Sequence, residues 1–258
     1  MLFWEFAAPR RGRTLPRMLR WPNNLGVAAL NVVIVRIALP LVAADFAGMG
    51  ELESWGLFNN MPHRFDAYLP WGAIVPSIIM LDLAIYLQHV IFHAVPALWR
   101  IHQMHHTDVD LDVTSGARFH PVEIAISLLL KIAAVVVIGA PPDAVVIFEV
   151  VLNATSMFNH SNVYIPEPAD RALRWMTVTP DMHRVHHSIA RVETNSNFGF
   201  NLSWWDRLLG TYREQPAAGQ LAMVIGVEQF RERREAWLDR MLTQPFRGES
   251  AIYPFNES

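Results

Sequence analysis

Two short stretches carry the most chemical potential in this chain. "HQMHH" supplies His102, His105 and His106, and 81 positions later "HRVHH" supplies His183, His186 and His187 with identical spacing. On a helix, positions i, i+3 and i+4 share a face, so each stretch turns three imidazoles in one direction. A third element, "QHVIFH", sets His89 and His93 four apart, about 6 Å from one another on one helical face. Eight imidazoles exceed what one metal holds. Two metals sharing the set is the economical reading, with positions left open for substrate or dioxygen. Imidazole suits iron, zinc, copper and nickel alike, so ligand type leaves the metal open. The chain has no cysteine, which excludes thiolate sites. It also lacks the HExxH of zinc hydrolases and the paired helical ExxH motifs of soluble di-iron bundles.

The elements that position these histidines read as membrane helices. Of 258 residues, 52% are hydrophobic and 17% charged, too apolar for an ordinary soluble domain. Net charge is −3 and Lys131 is the sole lysine, so a nucleic-acid partner is not expected. No signal peptide is evident, because the apolar "MLFWEFAA" precedes the arginines instead of following them. Four segments approach the length of a bilayer crossing, at 25–44, 69–95, 122–140 and 143–158, the last two joined by a Pro-Pro turn in "GAPPDA". Five arginines (Arg10, Arg11, Arg13, Arg17 and Arg20) precede the first segment, while the loop after it is acidic, which places both termini in the cytoplasm. Threaded forward, ten of the eleven histidines fall on that side, and His63 falls in the outer loop as a surface residue.

The expected fold is all-α: one domain, 1–258, forming an integral membrane four-helix bundle under a cytoplasmic histidine-rich cap (96–121 and 159–258). Buried charges are expensive in lipid, so Arg36 with Asp82 and Lys131 with Glu149 are expected as ion pairs. Trp204, Trp205 and Asp206 are expected to pack the last histidine stretch against the bundle, and "VEQFRERREAWLDRML" to form an amphipathic helix lying on the inner leaflet or on the cap.

The arrangement resembles the fatty acid hydroxylase and sterol desaturase superfamily of membrane di-iron oxygenases. "LDLAIYLQHVIFH" resembles its first histidine box, with Gln88 and Val90 departing from a frequent HR pairing; "LWRIHQMHHTD" resembles the second, "GARFHPVEI" an HPxE element, "TPDMHRVHHSI" the last box, and "NSNFGFNLSWWDRLLGTY" the tail that follows it. The resemblance implies two iron ions, dioxygen as co-substrate, and an external electron donor such as a separate reductase or carrier protein. It implies as metal ligands His89, His93, His102, His105, His106, His183, His186 and His187, with His160 of "MFNHSN" as a ninth and His120 as a tenth ligand or a hydrogen-bonding partner. Asn159 is a candidate to bond a metal-bound water or to cap a helix end.

The expected function is therefore oxygen-dependent hydroxylation of a C–H bond in a membrane lipid or sterol-like molecule drawn from the lipid bilayer. Desaturation on the same site is the alternative, ahead of a zinc-dependent membrane hydrolase and a metal carrier.

Overall fold

Long apolar runs satisfy their backbone internally as helices, and proline or left-handed glycine ends them. The computed structural model describes residues 1–38, 41–61 and 71–247; it is all-helical, and among the described residues β-pairing is confined to two isolated bridges, Pro9 with Val163 and Ser188 with Ile225. In chain order the α-helices are α1 (Leu2–Ala7), α2 (Arg17–Ala38), α3 (Ala43–Leu52), α4 (Ile74–Ala94), α5 (Pro96–His106), α6 (Pro121–Ile138) and α7 (Pro142–Asn159). Six short ones follow: α8 (Glu167–Leu173), α9 (Pro180–His186), α10 (Arg191–Thr194), α11 (Trp204–Leu208), α12 (Gly219–Ala222) and α13 (Leu238–Thr243).

Two helices among the described residues, α4 and α6, are long and apolar enough to cross a membrane, with mean hydropathies of 1.8 and 2.3. Of the first expected span, 25–44, α2 covers 25–38; the helix starts earlier, at Arg17, and its N-terminal half is polar, with Arg20 and Asn24 fully buried against the loop that follows α5. The fourth, α7, carries Asp143, Glu149 and Asn153 along its length. The apolar core also recruits α3, whose first two residues end the expected first span and whose remainder the hydropathy pattern did not single out. Ala43 and Ala47 of α3 pack with Leu81 and Ile85 of α4, Val135 and Ile138 of α6, and Val145 and Phe148 of α7. α2 lies against α6. The turn after α3 closes on the α6–α7 turn through two glycines with positive φ, Gly56 and Gly139. A Cβ on Gly56 would lie 2.3 Å from the Gly139 nitrogen, so neither side of this contact accepts a side chain.

Lys131 and Glu149 form the expected pair at 2.7 Å across α6 and α7. Asp82 does not pair with Arg36, which lies exposed on α2. Its carboxylate faces α11 and accepts from Trp205 Nε1 at 2.8 Å and the Leu202 amide at 3.2 Å. The continuous amphipathic helix expected over 227–242 is also corrected. Phe230 has φ 58°, a left-handed conformation that breaks a helix, and the helix proper is the short α13. Met241 is buried with Val27 of α2 and Met104 of α5, so α13 packs on the protein. His63 lies outside the described residues.

Candidate metal centre

Four elements converge their histidines at one end of α4. His89 and His93 occupy its last turns and His102, His105 and His106 the last turns of α5, a helix opened by Pro96 at its first position. His160 follows α7 directly. His183 and His186 lie on α9 and His187 follows it; Thr179 caps this helix by accepting from the Met182 amide. All nine are buried, none more than 3% exposed.

They separate into two groups within which the candidate ligand atoms all lie within 4.8 Å: His89, His93, His102, His106 and His186 in one, His105, His160, His183 and His187 in the other. The two HxxHH stretches are therefore interleaved. α5 gives its i, i+4 pair, His102 and His106, to the five-histidine cluster and His105 to the other; α9 gives His186 to the first and its pair, His183 and His187, to the second. Each stretch serves both clusters, which explains why the chain carries the motif twice.

Hydrogen bonds fix how the rings present themselves. Nδ1 of His89 donates to the Phe198 carbonyl (2.8 Å), of His105 to Arg118 O (3.2 Å), of His160 to Ser156 O (2.7 Å) and of His186 to Ser196 O (2.8 Å). His93 Nδ1 meets Asn195 Oδ1 at 3.2 Å, and His102 Nδ1 meets the Glu123 carboxylate at 2.6 Å. These acceptors have no proton to give, so Nδ1 carries the hydrogen and Nε2 is left with a lone pair. The ε nitrogens of His89, His93 and His186 are buried without a partner, and those of His105 and His160 face each other 3.0 Å apart. Lone pairs that converge in a buried site call for a cation, and the donor set suits transition-metal ions. The same burial, aided by neighbouring imidazoles, holds His106, His183 and His187 well below the ordinary histidine range. It brings His160 to about 4 and His186 to about 3 against the carbonyls they bond. Neutral imidazoles are the form that ligates.

His120 is the one candidate the fold does not bring in. It caps α6, its Nδ1 accepting from the Val122 amide and its Nε2 donating to the Leu242 carbonyl, both at 3.2 Å, so both ring nitrogens are engaged away from the clusters. Asn159 donates to the Phe200 carbonyl at 2.7 Å.

Supporting residues were harder to read from sequence. Glu123, the acid of the HPxE element, orients His102 rather than His120. Asp206, fully buried, accepts from the Phe198 and Gly199 amides (2.8 and 3.0 Å) and from Thr211 Oγ1 (2.7 Å), so it fixes the backbone whose carbonyl receives His89. Burial pushes its carboxyl up to about 6. Arg20 binds both oxygens of Asp108 (2.8 and 2.7 Å) and Asp112 (2.5 Å), tying α2 to the loop after His106. Burial alone would raise Asp108, but Arg20 and Arg118 beside it hold its carboxyl below the usual range.

The family model described as fatty acid hydroxylase matches residues 74–211. Among curated proteins, the ornithine lipid hydroxylase OlsE of Rhizobium tropici is 31% identical over 143 residues, 55% of this chain and 42% of that protein. An alkylglycerol monooxygenase of Xenopus tropicalis is 27% identical over 158 residues (61% of this chain, 34% of that protein). A cholesterol 25-hydroxylase of Rattus norvegicus is 26% identical over 151 residues (57% and 49%). The chain thus spans less than half the length of each of these relatives. No solved structure matches.

Proposed function

This chain belongs to the fatty acid hydroxylase family, and from that premise we propose that it is a membrane di-iron hydroxylase acting on a C–H bond of a lipid or sterol-like molecule. The observation that carries the proposal is the pair of interleaved clusters, nine buried imidazoles presenting their ε nitrogens to two points. His89, His93, His102, His106 and His186 would hold one iron and His105, His160, His183 and His187 the other. The relatives named above are hydroxylases and monooxygenases of lipids and a sterol, which favours hydroxylation over desaturation.

When bound, the irons supply the oxidising chemistry: dioxygen, two electrons from an external donor and two protons convert C–H to C–OH and release water. The chain supplies orientation and exclusion. Carbonyls and carboxylate fix the imidazole tautomers, and complete burial keeps bulk water from the clusters. Phe119 stacks on His105 (centroids 4.3 Å apart, 11° between planes), and Phe200 lies 5.1 Å from His89 and 5.9 Å from His183. Both rings belong to the apolar core of α3, α4, α6 and α7, so that core reaches the histidines at these rings. An alkyl chain entering from the bilayer would meet both clusters there.

The chain is multi-pass, with the N-terminal arginines and the metal centre on the cytoplasmic side, where a separate electron carrier has access. Labelled dioxygen tests the reaction. Label should enter the lipid product; an unlabelled product with a new double bond would indicate desaturation, and turnover without dioxygen would overturn the proposal.

A further inference from the structure

We propose that the edge formed by residues 175–176 and 208–209 is inserted into the acyl region of the bilayer, although it belongs to neither long apolar helix. The inference rests on α4 crossing the membrane. Four large apolar side chains stand out on this edge: Trp175 (63% exposed), Met176 (60%), Leu208 (73%) and Leu209 (54%). The two pieces form one surface, because Trp204 Nε1 donates to Trp175 O at 2.9 Å and Arg207 to Arg174 O at 3.0 Å. Clustered apolar residues of this size need a partner.

Depth identifies it. α11 is fixed to α4 by the Trp205–Asp82 hydrogen bond, and the segment just after it by Tyr86 OH with Thr211 Oγ1 at 2.8 Å. At about 1.5 Å of rise per residue, Asp82 stands about 18 Å from the histidine-bearing end of α4 and about 12 Å from its other end. That is inside the ~30 Å of hydrocarbon a helix of this length crosses. An exposed apolar edge fastened to α4 at this depth meets acyl chains. The two cations beside it are arranged accordingly: Arg174 is buried and paired with Asp170, and the Arg207 guanidinium lies over Trp175 (4.2 Å) and Tyr212 (3.9 Å), masked by two rings. A different flank, the groove lined by Arg10, Glu167, Asp170 and Asp181, is charged and suits water.

The absence of cysteine makes the test direct. Single variants Leu209→Cys and Met176→Cys are spin-labelled in the full chain in phosphatidylcholine and phosphatidylglycerol vesicles. Leu129→Cys, exposed midway along α6, is the lipid reference, and Asp239→Cys, exposed on α13, the aqueous one. Collision with oxygen relative to a water-soluble nickel complex should be several-fold higher at 209 and 176 than at 239, and close to that at 129. A lipid-like reading at 129 with a water-like reading at 209 and 176 overturns this inference alone. Low collision with both reagents and spin–spin broadening would mean that a second copy covers the edge, which also overturns it. A water-like reading at 129 overturns the membrane reading and this one with it.

Discussion

The two histidine clusters are built from the same pair of motifs, yet they are supported differently. In the five-histidine cluster, four rings have an external acceptor on Nδ1: Phe198 O, Asn195 Oδ1, the Glu123 carboxylate and Ser196 O. In the four-histidine cluster, His105 and His160 bond carbonyls, while Nδ1 of His183 and of His187 is buried without a partner. Outer partners fix ring orientation and raise ligand basicity. The rings of the five-histidine cluster are therefore the more firmly held and the more basic, and under the proposed function the four-histidine cluster, with fewer imidazoles and fewer held rings, would leave more room for dioxygen. The histidines fall into two clusters; their hydrogen-bond partners make the clusters unequal.

The largest effect that would break this comparison is loss of a ligand. His186→Ala removes one imidazole from the five-histidine cluster and His105→Ala one from the other. Each should abolish hydroxylation and lower iron below two per chain in a metal assay of purified protein. Two full equivalents retained in the double variant would sink the assignment of both sites.

Next in size is the buried ion network beneath the clusters. Arg20→Met removes the guanidinium that pairs with both buried carboxylates, Asp108 and Asp112, a loss of about 3–5 kcal/mol on removal of one partner. A thermal or denaturant melt should report it, and His105 and His106, next to the disturbed loop, should bind metal less tightly. The sign with pH is fixed. The folded pKa of Asp108 lies below its unfolded one, so its contribution is complete above the ordinary aspartate range and is lost as pH falls through the folded value. The gap between wild type and variant should therefore narrow in acid.

These two predictions also mark what the sequence made legible. Eight of the ligand candidates could be found because i, i+3, i+4 spacing is a local property, and a helix converts it into a shared face whatever surrounds it; His160, which has no such spacing, came only from the family resemblance. The interleaving could not, because it depends on how α5 and α9 face one another across 81 residues. Hydropathy located α4 and α6, but it did not show that α2 starts ahead of its apolar run, with Arg20 reaching carboxylates on a distant loop, nor that Ala43 begins a short helix of its own, α3, which enters the core through small residues such as Ala43 and Ala47. Asp82 was assigned to Arg36 on matching depth alone; its true partners, Trp205 and Leu202, lie about 120 residues away and are neutral. Local periodicity was readable, and long-range pairing was not.

A smaller effect sharpens the inequality of the clusters. Glu123 is the one carboxylate among the Nδ1 acceptors found in the described residues. Glu123→Gln keeps the shape but removes the charge facing His102, and loss of such a partner typically weakens metal binding about 10–100-fold. Chelator competition should resolve one weakened and one unchanged site per chain. Equal weakening of both would show that the clusters are coupled and that the contrast drawn from their hydrogen bonds does not reach the metals.

The smallest effect separates a ligand from a cap. His120 lies beside the HPxE glutamate, three positions from the residue that orients His102, yet its two nitrogens are taken by the Val122 amide and the Leu242 carbonyl. His120→Asn preserves a side-chain oxygen able to cap α6 and gives up the bond to Leu242. The expected loss is about 1 kcal/mol of stability, that of a single ordinary hydrogen bond. Iron content should stay at two per chain and the chelator titration should not move. Should one equivalent of iron disappear while the melt barely shifts, His120 would be a tenth ligand, reaching a cluster by a movement of the α6 N-terminus toward α5.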